Sequence, residues 1–137
     1  MADQFQFELV SPERLLVSQP VEMVVVPGVE GDFGVLPGHA PLVSTIRPGV
    51  IAVFEGGQVV QRIFVARGFA EVTGERCTVL AQQAQPVTEV DRAAAEDEMR
   101  AAREDLPEAK DDAERARLEA AIAVAEAKLA AVDNPVY

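Results

Sequence analysis

Cysteine and histidine occur once each in the 137 residues, and tryptophan not at all. Cys77 alone can close no internal disulfide and build no cysteine-rich metal site. There is no His-Glu-x-x-His zinc pair and no Gly-x-Ser-x-Gly nucleophile elbow. Bases are scarce as well: 12 against 23 acids, a formal charge of -11. That excess disfavours any role resting on a wide basic surface, whether nucleic-acid binding or adhesion to anionic lipid. No apolar run reaches the ~18 residues of a spanning helix. Residues 1–4, Met1-Ala2-Asp3-Gln4, lack the basic and apolar regions of a signal peptide. A soluble, intracellular, acidic protein is expected, with no metal, no cofactor, no nucleic acid and no direct membrane insertion. What remains is 49% hydrophobic and 26% charged, enough to form a core in one domain or a domain with an appendage.

The averages conceal a split. All nine glycines lie within residues 28–74 and all six phenylalanines within residues 5–69. Residues 89–137 hold no glycine, 15 alanines in 49 positions, and a net charge of -7 from 14 acids and 7 bases. The shift falls near Pro86-Val87-Thr88, dividing the sequence into residues 1–87 and 88–137. In the first part Phe5, Phe7 and Leu9 alternate with Gln6 and Glu8 at period two. Further β-rich runs occupy residues 14–17, 21–26, 42–46, 50–54, 59–66, 69–72 and 77–81, punctuated by Gly and Pro. Gly56-Gly57 between two apolar runs suits a hairpin turn. Many short strands at this spacing predict an antiparallel β-sandwich or barrel.

The second part changes period. Ala95, Met99, Ala102 and Leu106, then Leu118, Ile122, Ala125, Leu129 and Val132, recur at heptad-like spacing. Pro107 breaks the pattern between them, and Asp111 or Asp112 can cap the second run. An antiparallel two-helix hairpin results, with an alanine-rich seam that buries little apolar area. A detachable hairpin is expected.

Candidate chemistry is sparse. The stretch PGVEGDFGVLPGHAP, residues 27–41, is glycine-rich, but no Gly-Lys-Ser/Thr follows, so turns between short strands are the better reading. His39 has Asp32 and Glu30 close in sequence as an acid–base couple, yet Pro37, Gly38 and Pro41 mark a rigid turn and no nucleophile is near. Cys77 sits in an apolar strand pattern and reads as packing. Arg92, Arg100, Arg103, Arg115 and Arg117 have acids three or four positions away, the pattern of a solvated face laced with ion pairs. The same arginines offer a second reading, an anion or nucleotide clamp between the helices.

These residues and this order of parts resemble the ε subunit of F-type ATP synthases, called δ in mitochondria. The resemblance rests on Glu30-Gly31-Asp32-Phe33-Gly34-Val35-Leu36-Pro37-Gly38-His39-Ala40-Pro41-Leu42 followed by Ile46-Arg47-Pro48-Gly49. Phe7-Glu8-Leu9-Val10-Ser11-Pro12-Glu13 and Ala66-Arg67-Gly68-Phe69-Ala70-Glu71-Val72 support it, and it covers essentially the whole sequence. It implies a non-catalytic central-stalk subunit, peripheral on the cytoplasmic face of a bacterial inner membrane. Its sandwich would dock on the γ subunit and the c-ring and couple ring rotation to ATP synthesis. Glu30, Asp32 and His39 would lie in the ring-facing loop. The hairpin would fold down on the sandwich or extend along γ, where it meets the α and β subunits and restrains ATP hydrolysis.

Two departures qualify that picture. The nucleotide-binding members carry Ile/Leu-Asp-x-x-Arg-Ala, whereas Thr88-Glu89-Val90-Asp91-Arg92-Ala93 stands here, leaving Glu89, Arg92 and Ala93 as a weak clamp for ATP. Residues 108–137 carry 7 acids and 4 bases, so docking on an acidic segment of β is opposed and weak inhibition is expected. A nucleotide-sensing regulatory subunit is the alternative.

Overall fold

The computed structural model describes residues 3–134 and 137; Met1 and Ala2 of the 1–4 segment, with Pro135 and Val136, lie outside it. Eight strands come first: β1 (Phe5–Val10), β2 (Leu15–Val21), β3 (Met23–Gly28), β4 (Gly31–Val35), β5 (Leu42–Ile46), β6 (Gly49–Glu55), β7 (Gln58–Val72) and β8 (Arg76–Pro86). A 3-10 turn over Val87–Glu89 leads into α1 (Arg92–Asp105), and a second over Leu106–Glu108 leads to α2 (Asp112–Asp133). The expected β-sandwich followed by a two-helix hairpin is what forms.

Two layers arise from one continuous ladder. β7 is 15 residues long; its first half pairs antiparallel with β6 and its second half with β5, while β8 follows it along both. One layer therefore contains β4, β3, β6 and the first half of β7, and the other contains β5, the second half of β7, the first part of β8, β1 and β2. β1 joins β8 in parallel, the remaining ladders being antiparallel. At the crossing point the ladder is interrupted without a change of register. Ala66 opposes Gln83 and Gly68 opposes Ala81, while Arg67 and Gln82 between them are unpaired in the ladder, Arg67 with its φ at 61° in the left-handed region. Gly68 follows because the strands touch there: a Cβ on it would lie 1.8 Å from the Leu80 carbonyl oxygen.

The core between the layers follows the period-two pattern. Phe5, Phe7 and Leu9 of β1 meet Val24 and Val26 of β3, Ile51 and Val53 of β6, Ile63 and Val65 of β7, and Cys77 and Val79 of β8. None of the described residues buries a polar or charged side chain. At Gly56-Gly57, φ values of 61° and 75° give the two positive angles of a tight hairpin turn, and Glu55 pairs with Gln58 across it.

Two elements differ from the pattern expectation. Residues 31–35, read as turn, form β4, paired along β3 from Val24–Val35 to Gly28–Gly31. Residues 59–66 and 69–72, read as separate runs, are one strand, because the left-handed Arg67 interrupts the pairing for a single residue without ending β7.

Local signals set the helical ends. The Asp91 carboxylate accepts from the Ala94 amide at 3.1 Å and begins α1. Asp111, not Asp112, caps α2, accepting from the Glu114 amide at 2.7 Å. Glu114 reaches back to accept from the Lys110 amide at 3.2 Å. Pro107 sits in the 3-10 turn between the helices. The antiparallel pair is tied by Arg92–Asp133, Lys128–Glu98 and Arg103–Glu126 ion pairs at 2.9, 3.4 and 3.1 Å. Seam positions Ala95, Ala102, Leu118 and Ala125 are buried.

α2 also turns Val124 and Ala131 away from the seam, onto Val50, Phe64 and Ala66 of the sandwich. Those positions explain two continuous apolar runs. Val50, Ile51, Ala52 and Val53, and Ile63, Phe64, Val65 and Ala66, are all buried, which an alternating half-buried strand would not allow. Odd members face the inner core in Ile51, Val53, Ile63 and Val65, and Val50, Phe64 and Ala66 face the hairpin.

Candidate functional site

Covering one outer face leaves the other bare. On the second layer, β5, β7, β8 and β1 send Val43, Phe69, Leu80 and Val10 outward. The register puts Phe69, Leu80 and Val10 in one row with Thr45, and Val43 lies two residues along β5 from Thr45, opposite Glu71. Val43 is 68% exposed, Phe69 44% and Leu80 40%. Beside this row lies a charged one, in which Glu8 pairs with Arg76 and Glu71 stands opposite Thr78. Val10, Pro12, Arg67, Phe69 and Leu80 line a shallow hollow of about 360 Å³. Three large apolar side chains are thus exposed together on one surface, with the left-handed Arg67 at their edge.

The segment from Glu30 to His39 splits in two. Glu30 occupies the exposed turn between β3 and β4, and Asp32 stands on β4, where its Oδ1 accepts from Arg47 at 2.5 Å. Arg47 also donates to the Gly28 carbonyl at 2.6 Å, tying the turn to the segment after β5. His39 lies beyond the opposite end of β4. Its Nδ1–H donates to the Ala40 carbonyl at 2.6 Å, and the neighbouring Gly38 amide bonds to Gly74 in the β7–β8 turn. β4 separates His39 from Glu30 and Asp32, by roughly 15 Å at the usual rise per residue. No acid–base couple is assembled. Asp32 is held below the usual carboxylate range: partial burial would raise it, but the hydrogen bonds from Tyr137 and Arg47 and the charge of Arg47 outweigh that. Tyr137 donates its hydroxyl to Asp32 Oδ2 at 2.7 Å.

At the hinge, Glu89 is exposed in the 3-10 turn after β8, and Ala93 is exposed in the first turn of α1. Arg92 points at α2 and is forked by Asp133: Nε to Oδ1 and NH2 to Oδ2, both 2.9 Å. It also pairs with Glu96. The Asp133 hydrogen bond, then its charge, raises Arg92 and, reciprocally, lowers Asp133. Arg92 thus closes the hairpin in this arrangement instead of facing an open cavity. Arg100 pairs with Asp97 and Arg115 with Asp112, the solvated ion-pair face the spacing suggests. A groove of about 500 Å³ between Leu16, Val60, Ile63, Val87 and Val132 lies where α2 meets the sandwich; its lining is mostly apolar.

Burial pushes the Cys77 thiol up to about 12, so it is packing and not a nucleophile. Among the described residues no group of three His, Cys, Asp or Glu could hold a metal ion, and no helix is long and apolar enough to cross a membrane.

The bare patch of Val43, Phe69 and Leu80 is absent from the sequence reading, although outward positions of period two would have exposed it. Tyr137 was equally silent, since its partners Asp32, Phe54 and Arg62 lie 75 or more residues away along the sequence.

Residues 4–87 match the family described as the ATP synthase delta/epsilon chain beta-sandwich domain, and residues 91–136 match the C-terminal domain of the ATP synthase epsilon chain. The protein is similar to the ATP synthase epsilon chain of Rhodospirillum rubrum, 70% identical over 84 residues; the match spans 61% of this chain and 63% of that one. With the epsilon chain of Rhodospirillum centenum it shares 61% identity over 104 residues, 72% of this chain and 71% of the other. Among solved structures it resembles a chain in the Euglena gracilis mitochondrial ATP synthase OSCP/F1/c-ring assembly. That likeness has a TM-score of 0.80 at 28% identity, covering 94% of this chain and 81% of that one. A chain of the Tetrahymena thermophila mitochondrial ATP synthase central stalk/c-ring shares the fold at TM-score 0.54 and 13% identity, over 65% of this chain and 71% of the other.

Proposed function

The chain belongs to the ATP synthase delta/epsilon family, as an epsilon-type, non-catalytic chain, and from that membership we propose that it is a central-stalk joint coupling rotation of a c-ring to ATP synthesis. The sandwich docks on the γ subunit through the bare face of the second layer. The segment holding Glu30, Asp32 and His39 faces the ring. The whole is peripheral on the cytoplasmic side of the bacterial inner membrane.

The observation that carries this reading is the exposed apolar patch of Val43, Phe69 and Leu80. Burying a side chain of this size is worth about 1.5–3 kcal/mol. A patch of three, on strands paired in one sheet, suits a permanent apolar partner. The Arg47–Asp32 pair and its bond to Gly28 support a stiff ring-facing turn, because they cross-link the β3–β4 turn to the backbone after β5.

The hairpin is read as mobile and regulatory, with weak restraint of ATP hydrolysis. Its contact with the sandwich is small, namely Val124 and Ala131 against Val50, Phe64 and Ala66. Nucleotide binding through Glu89, Arg92 and Ala93 would require Arg92 to leave Asp133 and Glu96. ATP affinity that disappears in Arg92→Ala would establish it.

The test has two arms. Co-expression with γ should give a stable pair from the natural protein and none from Val43→Glu/Phe69→Glu, whose circular dichroism stays native. Undiminished capture of γ by the double variant would refute the docking face. ATP hydrolysis by a reconstituted catalytic head should be nearly the same with the full-length protein as with residues 1–88. Strong suppression by the full-length protein alone would make the hairpin a working brake.

A further inference from the structure

The hairpin's own contact with the sandwich is thin, but Tyr137 beyond it adds another. Tyr137 lies over the outer face of the first layer and touches three strands there. Its hydroxyl donates to Asp32 Oδ2 on β4 at 2.7 Å. Its ring stands edge-on to Phe54 of β6, centroids 5.9 Å apart at 70°. Its carbonyl oxygen accepts from Arg62 of β7 at 2.6 Å. The residue adopts φ 64°, an unfavourable angle for an aromatic residue, which persists only where surrounding contacts determine it.

The receiving site does not depend on the tyrosine. Asp32 Oδ1 is already fixed by Arg47, and Arg47 by the Gly28 carbonyl, so Oδ2 is aimed before the phenol arrives. Register places Asp32 beside Pro27 and Phe54 beside Met23, on the face that α2 partly covers. Tyr137 therefore extends the covered area from β6 and β7 across to β4.

We propose that Tyr137 is a catch that holds the helical hairpin down on the sandwich, closing on Asp32, Phe54 and Arg62. The proposal rests on the reading that the hairpin moves as a unit. It adds where the motion is gated. Asp32 also lies in the segment read as facing the ring, so any group that engages its carboxylate there takes the phenol's acceptor away. Ring contact and hairpin release then share one carboxylate.

Thiol labelling of the full-length protein tests this. Val124 is 5% exposed beneath the hairpin and becomes a reporter as Val124→Cys, with Ala131→Cys as a second position that must agree. Cys77 is fully buried in the sandwich core, so its labelling in the same molecule reports global unfolding. Position 124 should label faster than Cys77. Tyr137→Phe keeps the ring on Phe54 but removes one hydrogen bond to a carboxylate, and should raise labelling at 124 about fivefold while Cys77 is unchanged. Asp32→Ala should give a similar rise, and the double variant no more than either alone. Fast labelling at 124 that ignores Tyr137→Phe, or effects of the two changes that multiply, would overturn the catch and leave hairpin mobility standing. Labelling at 124 no faster than at Cys77 would overturn both.

Discussion

Replacing Gly68 by alanine isolates the joint between the two layers. The added Cβ would lie 1.8 Å from the Leu80 carbonyl oxygen and 2.8 Å from both the Leu80 carbonyl carbon and Ala81 Cα. All three are backbone atoms, so no change of rotamer relieves the clash. Restoring ordinary contact requires β7 and β8 to part by roughly 1.5 Å, given that carbon and oxygen do not approach much closer than 3.2 Å. Gly68 pairs with both Ala81 and Ile46, and Phe69 pairs with Leu80, so two or three ladder hydrogen bonds lengthen past usefulness. At about 1 kcal/mol each, with some loss of packing around Ala70 and Ala81, the cost is about 3 kcal/mol. With a urea slope of about 1.5 kcal/mol/M, the unfolding midpoint should fall by about 2 M. Circular dichroism in urea measures it. Gly56→Ala is the control, since nothing lies within 4 Å of its Cβ and only its φ of 61° is unfavourable. It should cost about 1 kcal/mol. If Gly68→Ala shifted the midpoint by less than about 0.5 M, or no more than Gly56→Ala, the close approach of β7 and β8 would be the wrong account.

Further outcomes are expected. Phe64→Ala should destabilise the full-length protein by about 3 kcal/mol, because Phe64 is fully buried under α2, but should cost far less in residues 1–88, where that face is bare; equal losses in urea unfolding would mean the hairpin does not cover it. Asp32 is a depressed acid, so its contribution is present above the ordinary value of 3.8 and is lost as pH falls through its lower folded value; carboxyl titration by NMR should place it below 3.8 and move it upward in Tyr137→Phe. Tyr137 is raised above 10.0, by the Asp32 hydrogen bond first, so its contribution is full below pH 10 and fades as pH rises through the folded value; an ultraviolet titration of the phenol checks it. Arg92→Ala should leave both helices formed yet speed amide exchange at the ends of α1 and α2, where Asp133 loses its partner; unchanged exchange would make the fork ornamental.

Much of the architecture was legible because it follows simple periods. Phe5, Phe7 and Leu9 announce β1, and the Asp111 cap and Pro107 place the break between helices. β4 escaped because Gly31, Asp32 and Gly34 are poor strand formers; the strand exists through its pairing with β3, as the edge of the layer. Seating of the hairpin was legible and overlooked: four consecutive apolar residues at 50–53 and again at 63–66 require cover on both faces. Asp32 was named from its motif, but not its partners. Arg47 is 15 residues away and Tyr137 is 105, separations no local pattern encodes.

β7 runs through both layers without interruption, and β8 beside it does nearly the same. In most stacked sheets a load passes from one to the other through side chains, which slide at small cost. Here it passes along covalent backbone. A twist applied at the bare face reaches the strands under the hairpin through peptide bonds, and only Arg67 and Gly68, where the strand changes layer, offer a place to bend. The sandwich should behave as a stiff shaft with one small flexure.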